Sequence, residues 1–310
     1  MMNRRAPVRV SAVMLVAAFA SQLTPAMQPA GSGTAPDTPG TGPYPAMKEE
    51  IPALPRHVVY RPSNLAALGS LKMGVVAWGN GGCSNDAAST RFHLLELASH
   101  GYLVIASGRI LSGPGAPPPA ATRLPFPQTV PEDLTAAIDW ALAENARQGS
   151  AYFGRIDTRQ VGVAGFSCGG LQAALVARDP RVTALIMQNT GTYEGERPTM
   201  PGLKVPKSIL KTFHTPVLYI IGGPTDVAYA NAMEDFKLID HVPVAMANLP
   251  VGHGGTYHEP NGGAAAQVAV DWLNWQWRGD AKAASRFVGE KCGLCTDPEW
   301  TLERKNFPAR

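Results

Sequence analysis

The sequence predicts an α/β fold, with a mostly parallel central sheet covered by helices on both faces. Three observations carry this. The chain has 310 residues, 45% of them apolar and only 16% charged, which is enough for one large buried core. Short apolar runs alternate with helical stretches along most of that length. One of those runs passes through a glycine-rich turn directly into a helix.

Strand-like runs fall at Val58–Tyr60, Met73–Trp78, Tyr102–Ala106, Val161–Ala164, Val182–Gln188, Val217–Ile221 and Val244–Leu249. Helical stretches fall at Phe92–His100, Glu132–Ala146, Leu171–Arg178, Ala230–Ile239 and Ala264–Trp277. Pro131 stands at the start of the second helix, where a missing N–H costs nothing. Leu134, Ile138, Ala141 and Leu142 then recur at helical spacing. In such sheets the functional groups collect in loops at the carboxyl ends of the strands.

The ends of the chain read differently. Arg4, Arg5 and Arg9 precede an apolar stretch from Val10 to Ala20 that closes on Ala18-Phe19-Ala20. That is the pattern of a signal peptide over residues 1–20, too short to span a membrane comfortably. The expectation is therefore export, periplasmic or secreted, with no integral membrane span after cleavage. Residues 21–55 are rich in Pro, Gly, Thr and Ser and read as a flexible leader. The α/β domain is expected over 56–280, and residues 281–310 form a C-terminal extension carrying a C-x-x-C. The formal net charge of +3 includes no basic run interleaved with aromatics, so nucleic acid is not an expected partner.

The chemistry centres on Gly165-Phe166-Ser167-Cys168-Gly169. A G-x-S-x-G string between a strand and a helix puts a serine on a tight, strained turn, where its hydroxyl is exposed as a nucleophile. A serine hydroxyl needs a base and an acid that orients the base, in the chain order Ser, acid, His. The run ending at Ile221 leads into Gly222-Gly223-Pro224-Thr225-Asp226, so Asp226 is the candidate acid, with helix capping as its alternative duty. Asp235 and Asp240 are weaker candidates. The last strand leads into Val251-Gly252-His253-Gly254-Gly255, which makes His253 the candidate base and His258 its rival. The oxyanion of acyl transfer needs amide donors. One is expected from Cys168, the residue after the nucleophile, and one from Asn80 in Gly79-Asn80-Gly81-Gly82-Cys83, the loop after an earlier strand.

The four cysteines suit an oxidising compartment and allow three connectivities. If the Asn80 and Cys168 amides face one oxyanion, Cys83 and Cys168 come within disulfide reach. Cys168 as a small buried thiol is the alternative. Cys292 and Cys295 form a C-x-x-C without the second pair a zinc site needs, so a local disulfide is expected ahead of a redox motif.

Together these residues resemble the α/β-hydrolase superfamily, in the branch of cutinases and polyester hydrolases with the related dienelactone-hydrolase and chlorophyllase-like esterases. The resemblance covers about residues 58–279 and includes Leu97-Ala98-Ser99-His100-Gly101-Tyr102-Leu103-Val104-Ile105 and Gly154-Arg155-Ile156-Asp157. It implies an α/β-hydrolase fold without a large cap, and hydrolysis of carboxylic esters, small or polymeric, through an acyl-enzyme, with no metal or organic cofactor expected. The chain departs from polyester hydrolases in having Asn80 for an aromatic residue and Cys168 for Met. It also has Gln188-Asn189-Thr190-Gly191 where they place a Trp, so an aromatic clamp is missing or moved to Tyr193. A serine peptidase of the same fold is an alternative, although the connection from Thr190 to Thr215 is short for a cap. A non-catalytic binding protein on a hydrolase scaffold is another.

Overall fold

The computed structural model describes residues 35–118, 128–194 and 203–307. Nine strands form one sheet: β1 (Ala46–Glu50), β2 (His57–Pro62), β3 (Met73–Gly79), β4 (Tyr102–Ser107), β5 (Ile156–Phe166), β6 (Ala184–Gln188), β7 (Val217–Ile221), β8 (Val244–Asn248) and β9 (Thr301–Lys305). Their order across the sheet is β1-β2-β4-β3-β5-β6-β7-β8-β9. The six strands from β4 through β8 in that order are parallel, while β1, β2 and β9 run antiparallel to their neighbours. Such a sheet with helices on both faces is the expected α/β-hydrolase fold.

Period-two alternation sorts the strand residues into two cores. Val75, Ala77, Val163, Leu185, Met187 and Tyr219 face one way, into a cluster with α2 (Pro131–Ala146), α3 (Cys168–Val176) and α4 (Tyr229–Leu238). Val76, Trp78, Ala164, Ile186, Leu218 and Ala247 face the other way, towards α1 (Arg91–Ser99) and α5 (Gly263–Arg278). Both faces of the middle strands are buried, which is why their sequences read as continuous apolar runs. The α2 start is reinforced by Asp133, whose carboxylate accepts from the Val130 amide at 2.9 Å.

Two expectations change at the edges of the sheet. The expected signal peptide, residues 1–20, lies outside the described residues. The flexible leader does not run to residue 55: residues 46–50 form β1, and the stretch before them is anchored by polar contacts. Arg91, fully buried, bonds the Asp37 carboxylate at 2.9 Å and the Ala35 carbonyl at 2.6 Å. Lys48 also pairs with Asp37, and the Thr41 amide donates to Glu96 at 2.8 Å. A Pro/Gly-rich stretch cannot build its own core, but here it borrows charged partners from α1. The C-terminal segment likewise joins the sheet through β9. It contributes two short helices, α6 (Ala281–Ala284) and α7 (Gly293–Thr296), and packs Phe287 against Trp272 and Trp275. Among the described residues no helix is long and apolar enough to cross a membrane.

Candidate active site

The site is assembled from the carboxyl ends of β3, β5, β6, β7 and β8. At the end of β5 the chain turns so sharply that Ser167 takes φ 54° and ψ −120° before α3 begins at Cys168. Such a conformation costs about 1–3 kcal/mol in a residue with a side chain and persists only when its surroundings impose it. Here the surroundings are close backbone. A Cβ on Gly165 would sit 2.3 Å from the Gly169 carbonyl, and one on Gly169 would sit 2.0 Å from that of Gly79. Only glycine fits at either position. The Ser167 amide donates to the Gln188 carbonyl at 2.9 Å, which ties the turn to β6.

The same close approach brings the loop after β3 against the start of α3. The Asn80 amide nitrogen lies 2.5 Å from where a Gly169 Cβ would be. Cys83 and Cys168 are joined by a disulfide with their Cα atoms 5.2 Å apart, and both side chains are buried. The Asn80 side chain is buried and donates to the carbonyls of Ser84 at 2.9 Å and Ser107 at 2.6 Å. It braces this loop against β4. Cys292 and Cys295 form the second disulfide, in the C-terminal segment, with Cα atoms 4.9 Å apart.

His253 follows β8 and is partly exposed. Its Nε2 lies 3.0 Å from Ser167 Oγ and its Nδ1 lies 2.6 Å from Asp226 Oδ1. An ionised carboxylate only accepts, so Nδ1 carries the proton and Nε2 is left to accept from the serine hydroxyl. The loops bearing Asp226 and His253 cross closely: a Cβ on Gly222 would lie 1.9 Å from the Gly252 carbonyl. The Phe166 ring packs against the imidazole with centroids 5.3 Å apart.

Asp226 is buried and accepts four hydrogen bonds. Oδ1 takes the Ala228 amide at 2.9 Å besides His253, and Oδ2 takes the Asn189 side-chain amide at 2.7 Å and the Gly222 amide at 3.0 Å. Burial alone would raise its pKa, but the bonds from His253, Ala228 and Asn189 outweigh that and hold it below the usual carboxylate range. The capping duty weighed for Asp226 is not what it does: the N-cap of α4 is Ala228, without a side-chain cap bond, and the Ala228 amide bond to Asp226 is a local turn before the helix.

The rivals are engaged elsewhere. Asp235 is fully buried against Lys207 at 2.7 Å and the Thr192 amide at 2.7 Å. Asp240 pairs with His241 at 3.7 Å. His258 is partly buried, with no contact to Ser167 or Asp226 among its described bonds. Tyr193 is buried and donates to the Leu203 carbonyl at 2.6 Å, so it presents no open aromatic face. Two residues that sequence reasoning did not single out also meet here. Asn189, at the end of β6, accepts from the Tyr257 hydroxyl at 2.6 Å while donating to Asp226. The one signal available was a polar residue standing directly after an apolar strand.

A family model described as PET hydrolase-like matches residues 56–217, over half of the 310-residue chain. The matched span contains Asn80, Cys83, Ser167 and Cys168 and stops before Asp226 and His253. No curated protein matches the chain.

Proposed function

The chain belongs to the PET hydrolase-like family, and on that premise we propose that it is an exported serine hydrolase of carboxylic esters working through Ser167, His253 and Asp226. The observation that carries the proposal is His253 standing between the other two, 3.0 Å from Ser167 Oγ and 2.6 Å from Asp226 Oδ1. His253 Nε2 takes the proton of Ser167 as Oγ attacks the ester carbonyl carbon. The amides of Asn80 and Cys168 hold the oxyanion. Collapse of the tetrahedral intermediate expels the alcohol, which leaves with the proton from His253. Water, deprotonated by the same nitrogen, then attacks the acyl-enzyme and releases the acid and free Ser167. Asp226 stays ionised throughout and stabilises the imidazolium.

The Cys83–Cys168 disulfide serves this chemistry by fixing the two amide-bearing segments relative to each other before substrate arrives. Donors that need no rearrangement stabilise the transition state most. Two disulfides fit the oxidising compartment that export implies. Exposed apolar side chains sit beside the proposed acid and base, Val227 at 81% and Val251 at 47% accessibility. They suit an ester with an apolar body, small or polymeric.

The test is a series of p-nitrophenyl esters of rising acyl length, run beside a soluble polyester, with the wild-type protein and Ser167→Ala. Wild type is expected to turn over, and Ser167→Ala to fall to background with an unchanged circular dichroism spectrum. Full activity in Ser167→Ala overturns the proposal.

A further inference from the structure

We propose that Asn189, held by Tyr257, is a positioning residue that orients the Asp226 carboxylate and locks the acid-bearing and base-bearing loops together. The proposal rests on the Ser167–His253–Asp226 reading above.

Asn189 is 2% exposed and has φ 45°, a left-handed conformation that asparagine tolerates better than most residues. Every polar atom of its side chain is used. Because the carboxylate can only accept, the NH2 group must face Asp226, which turns the carbonyl oxygen to Tyr257. Nδ2 then donates to Asp226 Oδ2 at 2.7 Å and to the Gly252 carbonyl at 3.3 Å, while Oδ1 accepts from the Tyr257 hydroxyl at 2.6 Å. One side chain from the end of β6 thereby grips the loop after β7 and the loop after β8 at once. Gly252 directly precedes His253, so the second bond acts on the backbone of the proposed base.

Tyr257 is itself 1% exposed and immobilised. Its ring packs on Phe166 at 4.5 Å and on His93 of α1 at 5.4 Å between centroids. Burial pushes the His93 imidazole down to about 3, so it stays neutral in any ordinary assay. Burial likewise keeps the Tyr257 hydroxyl protonated, well above its usual range, and therefore a donor. The titratable groups facing this pair are then His253 and Asp226 within the site and neutral His93 behind it. Gly255 has to lack a side chain for the arrangement to close, since a Cβ there would lie 2.5 Å from the Tyr257 ring.

A positioning role predicts more than lost stability. Asn189→Leu removes one of the two donors on Oδ2 and leaves the Tyr257 hydroxyl unpaired. Burial then acts on Asp226 with less opposition, and its pKa rises. Asn189→Asp keeps the shape but sets a second carboxylate against the first, and its shift is larger in the same direction. Below that raised pKa a protonated Asp226 no longer stabilises the imidazolium, so the acid limb of kcat moves to higher pH in both variants.

The experiment measures kcat, KM and the pH profile of p-nitrophenyl ester hydrolysis for wild type, Asn189→Leu, Asn189→Asp and Tyr257→Phe, with Tm for each. The low-field proton resonance of the His253–Asp226 bond is followed alongside. Expected are a fall in kcat of about 10- to 100-fold in Asn189→Leu, KM within about twofold, and a displaced acid limb. Tyr257→Phe, which keeps the ring packing, is expected to show a smaller change of the same kind even if an Asn189 variant folds poorly. The double variant should lose less than the sum, because both residues act through one bond chain. Wild-type kcat, acid limb and proton resonance in Asn189→Asp and Tyr257→Phe, with only Tm lowered, would overturn the proposal. Parallel labelling of Ser167 by a fluorophosphonate separates this from failure of the underlying reading. A labelled wild type with indifferent Asn189 variants defeats the positioning role alone, whereas an unlabelled, active wild type defeats the triad.

Discussion

The cleft around Ser167 and the C-terminal region behind α5 are held by different balances of restraint. Around Ser167 the backbone is strained and the restraints are polar or covalent. Cys83, Ser167 and Asn189 all have positive φ there, at 46°, 54° and 45°. They are held by a disulfide spanning 85 residues and by a buried carboxylate with four donors. The C-terminal region has polar ties too, from Arg304 to the Phe287 and Gly289 carbonyls and from Asn306 to the Val242 carbonyl, but its centre is an aromatic stack. Trp272, Trp275, Phe287 and Phe307 have ring centroids 5.2–6.2 Å apart, and the disulfide there closes only three residues. Apolar packing stabilises without fixing the direction of any one group, whereas strained, hydrogen-bonded loops fix direction at a cost in stability. Changes in the first region should therefore lower kcat, whatever they do to stability, and changes in the second should lower Tm and leave kcat alone.

The largest expected effect lies in the cleft. His253→Ala and Asp226→Asn should each lower kcat by about four powers of ten, as in other triads; Tm should stay near wild type in His253→Ala and fall in Asp226→Asn, where the new NH2 group faces N–H donors that the carboxylate accepts from. The double variant should be little worse than the worse single one, because the triad acts as a unit. A damaging His258→Ala beside a benign His253→Ala would reassign the base.

The disulfides give a sharper contrast, since both are one kind of bond. By loop-closure entropy, replacing Cys83 and Cys168 together with Ala should cost about 4.5 kcal/mol of stability, and the same change at Cys292 and Cys295 only about 1.5 kcal/mol. Denaturant unfolding measures both. The first pair should also lower kcat at temperatures where the variant is fully folded, and the second should not. Equal kcat in the two double variants would break the comparison.

Phe287→Ala tests the other side. Loss of a fully buried aromatic ring should cost about 3–5 kcal/mol, read as a lower Tm, while kcat per folded molecule stays at the wild-type value. A fall in kcat in the folded variant would mean that the aromatic stack also positions the site.

The two regions were not equally legible in the sequence. β3, β7, β8 and the second half of β5, from Val161 on, are buried on both faces, so each reads as an apolar run, and glycines at 165, 169 and 222 mark the turns where backbones touch. That placed Ser167, Asp226 and His253 at strand ends without a structure. The edge strands were not legible, because β1 is Ala-Met-Lys-Glu-Glu and β9 is Thr-Leu-Glu-Arg-Lys. Charged residues suit an edge that faces water, and such strands exist only by pairing with β2 and β8. Anchoring of residues 35–42 was hidden for a related reason, since it depends on Asp37 and Thr41 meeting partners 54 and 55 residues away. Asn189 and Tyr257 escaped because a single polar contact across 68 residues leaves no periodicity or spacing to read.

The central claim is that Ser167 is a nucleophile activated by His253. Fluorophosphonate labelling, with the adduct mapped by mass spectrometry, tests it most directly. The account predicts one stoichiometric adduct on Ser167 in the wild-type protein, none in Ser167→Ala, and a labelling rate reduced by orders of magnitude in His253→Ala. An adduct elsewhere, or hydrolytic activity that survives complete modification of Ser167, would contradict it.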